Sequence, residues 1–179
     1  MFTFITGAAS SKKSEYGEAL AGACGCSKKI YLATMENKDY NLSRIEKHRK
    51  MRQNKGFETI ECPVDIIKAS ALIKKDSVVL LEDLPNLLAN ELFGEGALKS
   101  GDAPLVIERI IKGILELEKS SKQLILITGE LLSSGSNYDQ STLNYLKNLG
   151  LINRILAKKA DCFIEIFAGR PFFVCKKEK

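Results

Sequence analysis

An apolar run, Phe2-Thr3-Phe4-Ile5-Thr6, empties directly into Gly7-Ala8-Ala9-Ser10-Ser11-Lys12-Lys13-Ser14, and this junction constrains the fold more than any other part of the chain. In the pattern G-x-x-x-x-G-K-[ST], backbone N–H groups cradle phosphates, the lysine reaches the outer phosphates and the hydroxyl ligates Mg²⁺. Gly7, Lys13 and Ser14 hold three of its fixed places, while Lys12 stands where the second glycine belongs. A Cβ at that place crowds the phosphates or resists the backbone geometry of the loop. A strand before and a helix after supply the context that such a loop needs. Gly7, Ala8, Ala9, Ser10, Ser11, Lys12, Lys13 and Ser14 are therefore candidate nucleotide-binding residues; a solvated Ser/Lys turn is the alternative reading of the same letters.

The 179 residues suit one globular domain over residues 1–179 with a sizeable core. A net charge of +5 permits anionic partners, but the basic residues are scattered among 22 acids with no long single-sign run. A nucleotide fits that distribution better than a nucleic acid, and neither an aromatic-basic RNA motif nor zinc-finger spacing occurs. Five cysteines make an odd count, and Cys24-Gly25-Cys26 is too tight for a C-x-x-C pair, which predicts reduced thiols. One histidine and no cysteine knuckle argue against a transition-metal site. Met1 opens on the first strand and no apolar run reaches about 18 residues, so a cytoplasmic protein without a membrane partner is expected.

Short apolar runs alternate with helical patterns, the signature of an α/β protein with a mostly parallel sheet flanked by helices. Strands are predicted at Met1 to Thr6, Lys29 to Thr34, Phe57 to Glu61, Ser77 to Leu81, Gln123 to Thr128, Cys162 to Phe167 and Pro171 to Lys176. Helices are predicted at Lys13 to Ala23, Leu84 to Phe93, about Pro104 to Ser120 and about Gln140 to Ala160, where apolar residues recur at helical spacing. Ala168-Gly169-Arg170 reads as a tight turn, so an antiparallel C-terminal hairpin finishes the sheet. Gly94 to Asp102 and Ser133 to Asp139 read as mobile loops.

Ligands of open α/β sheets bind beyond the carboxyl ends of the strands. Glu61, Glu82 with Asp83, and Gly129 with Glu130 follow such ends. An acid after Val78-Val79-Leu80-Leu81 suits a Mg²⁺ partner, with the metal held between Glu82 and Ser14. The competing reading makes Glu82 a carboxylate favoured by the dipole of the helix from Leu84; Glu61 and Glu130 read equally as solvated strand-end acids.

His48 lies in Ser43-Arg44-Ile45-Glu46-Lys47-His48-Arg49-Lys50-Met51-Arg52, where Ser43 and Glu46 offer a capping box. Arg44, His48 and Arg52 recur at i, i+4, i+8 on a helix with only Ile45 and Met51 apolar. Laid over a nucleotide, Arg44, Arg49 and Arg52 neutralise phosphate charge and a neutral imidazole nitrogen is a nucleophile for phosphorus. A solvated basic helix is the plainer alternative.

The order of these motifs resembles the bifunctional adenosylcobinamide kinase/adenosylcobinamide-phosphate guanylyltransferase family nearly end to end. Its T-G-G-x-R-S-G-K-S loop is similar to Thr6 to Ser14; its A-T after the second strand is Ala33-Thr34, with Met35 following. Its R-I-x-x-H-R-x-x-R is matched by Arg44, Ile45, His48, Arg49 and Arg52, and its T-x-E by Thr59 and Glu61. The acidic strand end before N-L-L corresponds to Glu82 with Asn86-Leu87-Leu88 or Asn90. Its L-G-x-x-N-x-x-L-A-x-x-A-D and A-G-x-P reappear as Leu149-Gly150, Asn153, Leu156-Ala157, Ala160-Asp161, Ala168-Gly169 and Pro171.

The resemblance implies a P-loop NTPase-like (RecA-like) fold and two reactions at one nucleotide site. A nucleoside triphosphate, GTP or ATP, phosphorylates the aminopropanol hydroxyl of adenosylcobinamide. GTP then gives GMP to that phosphate through a guanylyl-histidine, a role that falls to His48. Lys13 and Ser14 are implied to hold triphosphate and Mg²⁺, Glu61 and Glu82 to line the guanosine and metal side, and the protein to form a homotrimer. The chain departs from the family at Ala8 and Lys12, at Gly129-Glu130-Leu131-Leu132 in place of N-E-V-G, and at Leu146-Lys147 in place of Arg-Asp. A divergent paralogue lacking one or both activities, or a small-molecule kinase, is the alternative.

Overall fold

The computed structural model describes residues 1–36, 38, 46, 49–50, 52–94, 103–129 and 138–176. Strand β1 (Phe2–Gly7) leads to helix α1 (Lys13–Ala23), then β2 (Lys28–Ala33) and β3 (Phe57–Glu61). A 3₁₀ helix (Ile66–Leu72), β4 (Ser77–Glu82), α2 (Leu84–Phe93), α3 (Ala103–Ser120) and β5 (Gln123–Ile127) follow. The chain closes with α4 (Gln140–Lys159), β6 (Cys162–Phe167) and β7 (Arg170–Lys176).

The seven strands form one sheet in the order β3-β2-β4-β5-β1-β6-β7. Every neighbouring pair is parallel except β6 with β7, as the sequence predicts for a P-loop α/β sheet ending in a hairpin. Strand ends differ from expectation by a residue. Gly7 and Glu82 belong to their strands, whereas Thr34 and Thr128 lie just past theirs. Ala168 and Gly169 carry φ of 49° and 78°, the paired left-handed residues of a two-residue hairpin turn, and Arg170 already belongs to β7.

The central strands are buried along nearly their whole length because both faces are covered. Phe2, Phe4, Val79, Leu81, Leu124 and Leu126 pack beneath α2, α3, α4 and the 3₁₀ helix. Ile5, Tyr31, Leu80, Ile125 and Ile127 share the opposite face with Ala21, Tyr16 and Leu20 of α1. On α3 the buried set Val106, Ile107, Ile110, Ile114 and Leu117 repeats at helical spacing and makes one apolar stripe. No helix among the described residues is long and apolar enough to cross a membrane.

The C-terminal motif block proves to be scaffold. Leu149, Leu156 and Ala160 are buried. Asp161 accepts a hydrogen bond from the Phe2 backbone N–H at 2.7 Å, fixing the start of β1. Asn153 Oδ1 accepts from the Thr128 hydroxyl at 2.9 Å and fixes the exit of β5. Cys24 and Cys26 lie side by side, their Cα atoms 5.4 Å apart, where Gly25 turns the chain with φ 63°. Cys62, Cys162 and Cys175 take no part in a disulfide. Most of the two segments read as mobile loops, 95–102 and 130–137, lies outside the described residues.

Candidate functional site

The carboxyl ends of β1, β2, β4 and β5 open on one cleft of about 820 Å³. The loop after β1 forms its floor. Gly7 has φ 152°, and a Cβ there would meet the Ile166 carbonyl oxygen at 2.5 Å and Ser11 Oγ at 2.8 Å, so only glycine fits between β6 and the loop. The Ser11 N–H closes the turn onto the Ala8 carbonyl at 3.3 Å. Lys13 Nζ donates to the same carbonyl at 3.0 Å, spanning the loop from the first turn of α1. The backbone N–H groups at that helix start, with the helix dipole, favour an anion.

Lys12 keeps the backbone conformation that glycine adopts most easily, with φ 71° and ψ 22°. Its side chain leans to the rim, where the ammonium stands 3.9 Å from Glu15 and the chain passes beside the Gly169 turn. The glycine place is thus met by a strained lysine rather than by a different loop. Lys12→Gly is expected to raise stability by about 1 kcal/mol in urea unfolding. A loss of stability would show that the rim contacts outweigh the left-handed strain.

Glu82 ends β4 with its carboxylate aimed at the loop. Oε1 accepts from the Ser14 hydroxyl at 2.5 Å and Oε2 from the Tyr31 phenol at 3.1 Å. The cap of α2 is Asp83 instead, which accepts from the Asn86 N–H at 2.8 Å, so Glu82 is not the helix-terminal acid of the competing reading. Burial raises the Glu82 pKa; the hydrogen bonds from Ser14 and Tyr31 oppose that rise, as does Arg52, while Glu18 adds to it. Burial likewise pushes the Tyr31 phenol up, with the Glu82 charge adding to the shift, so Tyr31 stays a donor.

A carboxyl whose folded pKa exceeds its unfolded value favours the fold most below the unfolded pKa and loses that contribution as pH rises through the folded one. Glu82→Gln, uncharged at every pH, is therefore expected to be more stable than wild type at mildly alkaline pH without nucleotide or Mg²⁺. The gain should shrink as pH falls through the raised folded pKa and level off once pH is below the ordinary carboxylate value. Urea unfolding across pH checks this, and equal stability at alkaline pH would contradict the burial effect.

Arg52 is only 7% exposed, and its guanidinium carbon lies 3.4 Å over the centroid of the Tyr31 ring. Its Nε and Nη1 find no hydrogen-bond acceptor among the described residues. A solvated basic helix does not describe this residue. Arg49 ion-pairs with Glu61 at the end of β3, both on the cleft wall.

Ala9, Ser10, Ser11, Lys12, Lys13, Ser14, Ala33, Met35, Arg49, Arg52, Glu61 and Glu82 all line the cleft. Gly7, Ala8 and Thr34 stand outside its lining. Thr34 is fully buried, and its hydroxyl accepts from the Asp83 N–H and donates to the Asp83 carbonyl, both at 2.8 Å. Asn90 donates to the carbonyls of Thr34 at 2.7 Å and Pro63 at 3.0 Å, pinning the exits of β2 and β3. His48, Arg44 and Glu130 lie outside the described residues.

Tyr31, Pro85, Ala89 and Tyr145 also line the cleft and were not singled out by sequence. Tyr31 had a signal: a polar-tipped aromatic two residues before Ala33 shares its face of the strand. Tyr145, whose phenol donates to the Pro85 carbonyl at 2.9 Å and is pushed up to about 12 by burial, had none.

Residues 3–174 match the sequence model of the family described as cobinamide kinase / cobinamide phosphate guanyltransferase. The bifunctional adenosylcobalamin biosynthesis protein CobU of Salmonella typhimurium is 26% identical over 171 residues, covering 90% of this chain and 92% of that protein. The protein of the same description from Escherichia coli is 28% identical over 172 residues, again covering 90% and 92%. Among solved structures, the flagellar accessory protein FlaH from Methanocaldococcus jannaschii aligns with 98% of this chain and 78% of its own, at 12% identity and a TM-score of 0.48.

Proposed function

The chain belongs to the cobinamide kinase / cobinamide phosphate guanyltransferase family, and we propose that it carries out both reactions on adenosylcobinamide at the cleft above β1 and β4. The observation that carries this reading is the meeting of Ser14 and Glu82 at 2.5 Å beside the loop that follows β1. A hydroxyl from the first turn of α1 and a carboxylate oxygen from the end of β4, brought together, are the hard-oxygen donors that suit Mg²⁺. Bound there, the ion would neutralise phosphate charge.

In the kinase step the substrate hydroxyl attacks the γ-phosphorus of GTP or ATP, its proton departs, and the nucleoside diphosphate leaves. In the second step a neutral His48 nitrogen attacks the α-phosphorus of GTP, forming an N–P bond and releasing pyrophosphate. The phosphate of adenosylcobinamide phosphate then attacks the same phosphorus, giving adenosylcobinamide-GDP and restoring the imidazole. Lys13 contacts the outer phosphates, while Arg49 and Arg52 add cationic charge. Exposed Phe167, Phe172, Phe173 and Val174 on the β6–β7 edge support a homo-oligomer.

Intact-mass analysis after incubation with GTP and Mg²⁺ tests the histidine step. An acid-labile GMP adduct on wild type and none on His48→Ala is expected. Lys12 in the glycine place favours a second reading, a paralogue that binds nucleotide without transferring it. Saturable GTP binding without an adduct would support that reading and reject guanylyl transfer through His48.

A further inference from the structure

Tyr31 touches both sides of the proposed nucleotide site. Its phenol donates to Glu82 Oε2 at 3.1 Å, while the other carboxylate oxygen accepts from Ser14 at 2.5 Å. Its ring carries the Arg52 guanidinium at 3.4 Å. The residue is buried, with 4% exposure, and Phe57 packs edge-on against its ring at 6.3 Å, so the ring has little freedom to turn. Arg52 is buried with two nitrogens lacking acceptors among the described residues. A guanidinium in that state is held by a π face until an anion reaches it.

We propose that Tyr31 is a positioning residue that orients the Glu82 carboxylate toward Ser14 through its hydroxyl and fixes Arg52 through its ring. One side chain on β2 thereby sets the metal side and the cationic side of the site together. The two functions are separable because they use different atoms. Removing the hydroxyl takes one hydrogen bond from the Glu82 carboxylate and leaves the stacking intact; removing the ring releases Arg52 as well. The inference rests on the reading of Ser14 and Glu82 as Mg²⁺ ligands.

The test is GTP affinity, measured by titration in EDTA and over a series of Mg²⁺ concentrations, for wild type, Tyr31→Phe, Tyr31→Leu and Glu82→Gln. Tyr31→Phe is expected to need about tenfold more Mg²⁺ for half of the metal-dependent gain, with its affinity in EDTA unchanged. Tyr31→Leu is expected to lose affinity in EDTA as well. An unchanged Mg²⁺ requirement in Tyr31→Phe, with Glu82→Gln clearly shifted, would overturn the role of Tyr31 and leave the metal reading standing. Equal losses in EDTA and in Mg²⁺ for Tyr31→Phe would mark the residue as merely structural and also overturn the proposal. A wild type and a Glu82→Gln with the same Mg²⁺ requirement would reject the metal reading and this inference with it.

Discussion

Lys13→Ala is expected to lower GTP affinity about a hundredfold or more, with little change in unfolding stability. The ammonium stands at the first residue of α1 and donates to the Ala8 carbonyl at 3.0 Å, which spans the loop on its concave side. An incoming triphosphate replaces that neutral acceptor by charged oxygens, and charge-assisted hydrogen bonds are about twice as strong as neutral ones. Truncating one member of a desolvated charge pair costs about 2–5 kcal/mol, and a hundredfold loss corresponds to about 2.7 kcal/mol. The fold loses only a half-buried side chain at a helix terminus, so urea unfolding should move by less than about 1 kcal/mol. Isothermal titration with GTP in Mg²⁺ checks the first part. Unchanged affinity would reject the loop as a phosphate cradle.

Gly7→Ala is expected to act in the opposite way, on the scaffold first and on binding as a consequence. The added Cβ would stand 2.5 Å from the Ile166 carbonyl oxygen, which belongs to the sheet and has no rotamer to escape into. It would also stand 2.8 Å from Ser11 Oγ, and φ of 152° disfavours any L side chain. Either β1 and β6 part at their carboxyl ends or the loop refolds. The expected cost is about 3 kcal/mol in urea unfolding, with loss of GTP binding even in the fraction that folds. A loss below about 1 kcal/mol would mean that the loop relaxes without strain and that Gly7 is not demanded by packing.

These two residues show what a sequence makes legible. The sheet was readable because the runs Val78 to Leu81 in β4 and Leu124 to Ile127 in β5 are apolar throughout and the helices between strands are periodic, both direct consequences of burial. The hairpin was readable from Ala168-Gly169, since few pairs other than those containing glycine accept two left-handed residues in succession. The glycine-to-lysine change at position 12 was visible, but its consequence was not. That Lys12 would hold φ 71° and send its chain outward depends on the neighbouring Gly169 turn and on Glu15.

Glu82 was visible as an acid after a buried strand. The choice between a loop partner and a helix cap was made by Asp83, one residue on, which takes the cap. Arg52 reads in sequence as a cationic neighbour of phosphate or as part of a solvated basic helix; its packing on the Tyr31 ring was not legible, because that ring comes from a strand that no local periodicity links to it. Tyr145 reaches the cleft from α4 by hydrogen bonding to Pro85, across 60 residues of chain. Such contacts arise from topology, whereas helical and strand patterns arise from the local backbone.

The measurement that bears most directly on the account is a product assay with adenosylcobinamide phosphate, GTP and Mg²⁺, followed by mass spectrometry. The expected result is adenosylcobinamide-GDP and pyrophosphate in equal amounts from wild type, with neither formed by His48→Ala, and product formation strongly reduced in Glu82→Gln. GTP bound saturably by wild type with no such product would contradict the account and leave a nucleotide-binding member of the family that has lost guanylyl transfer.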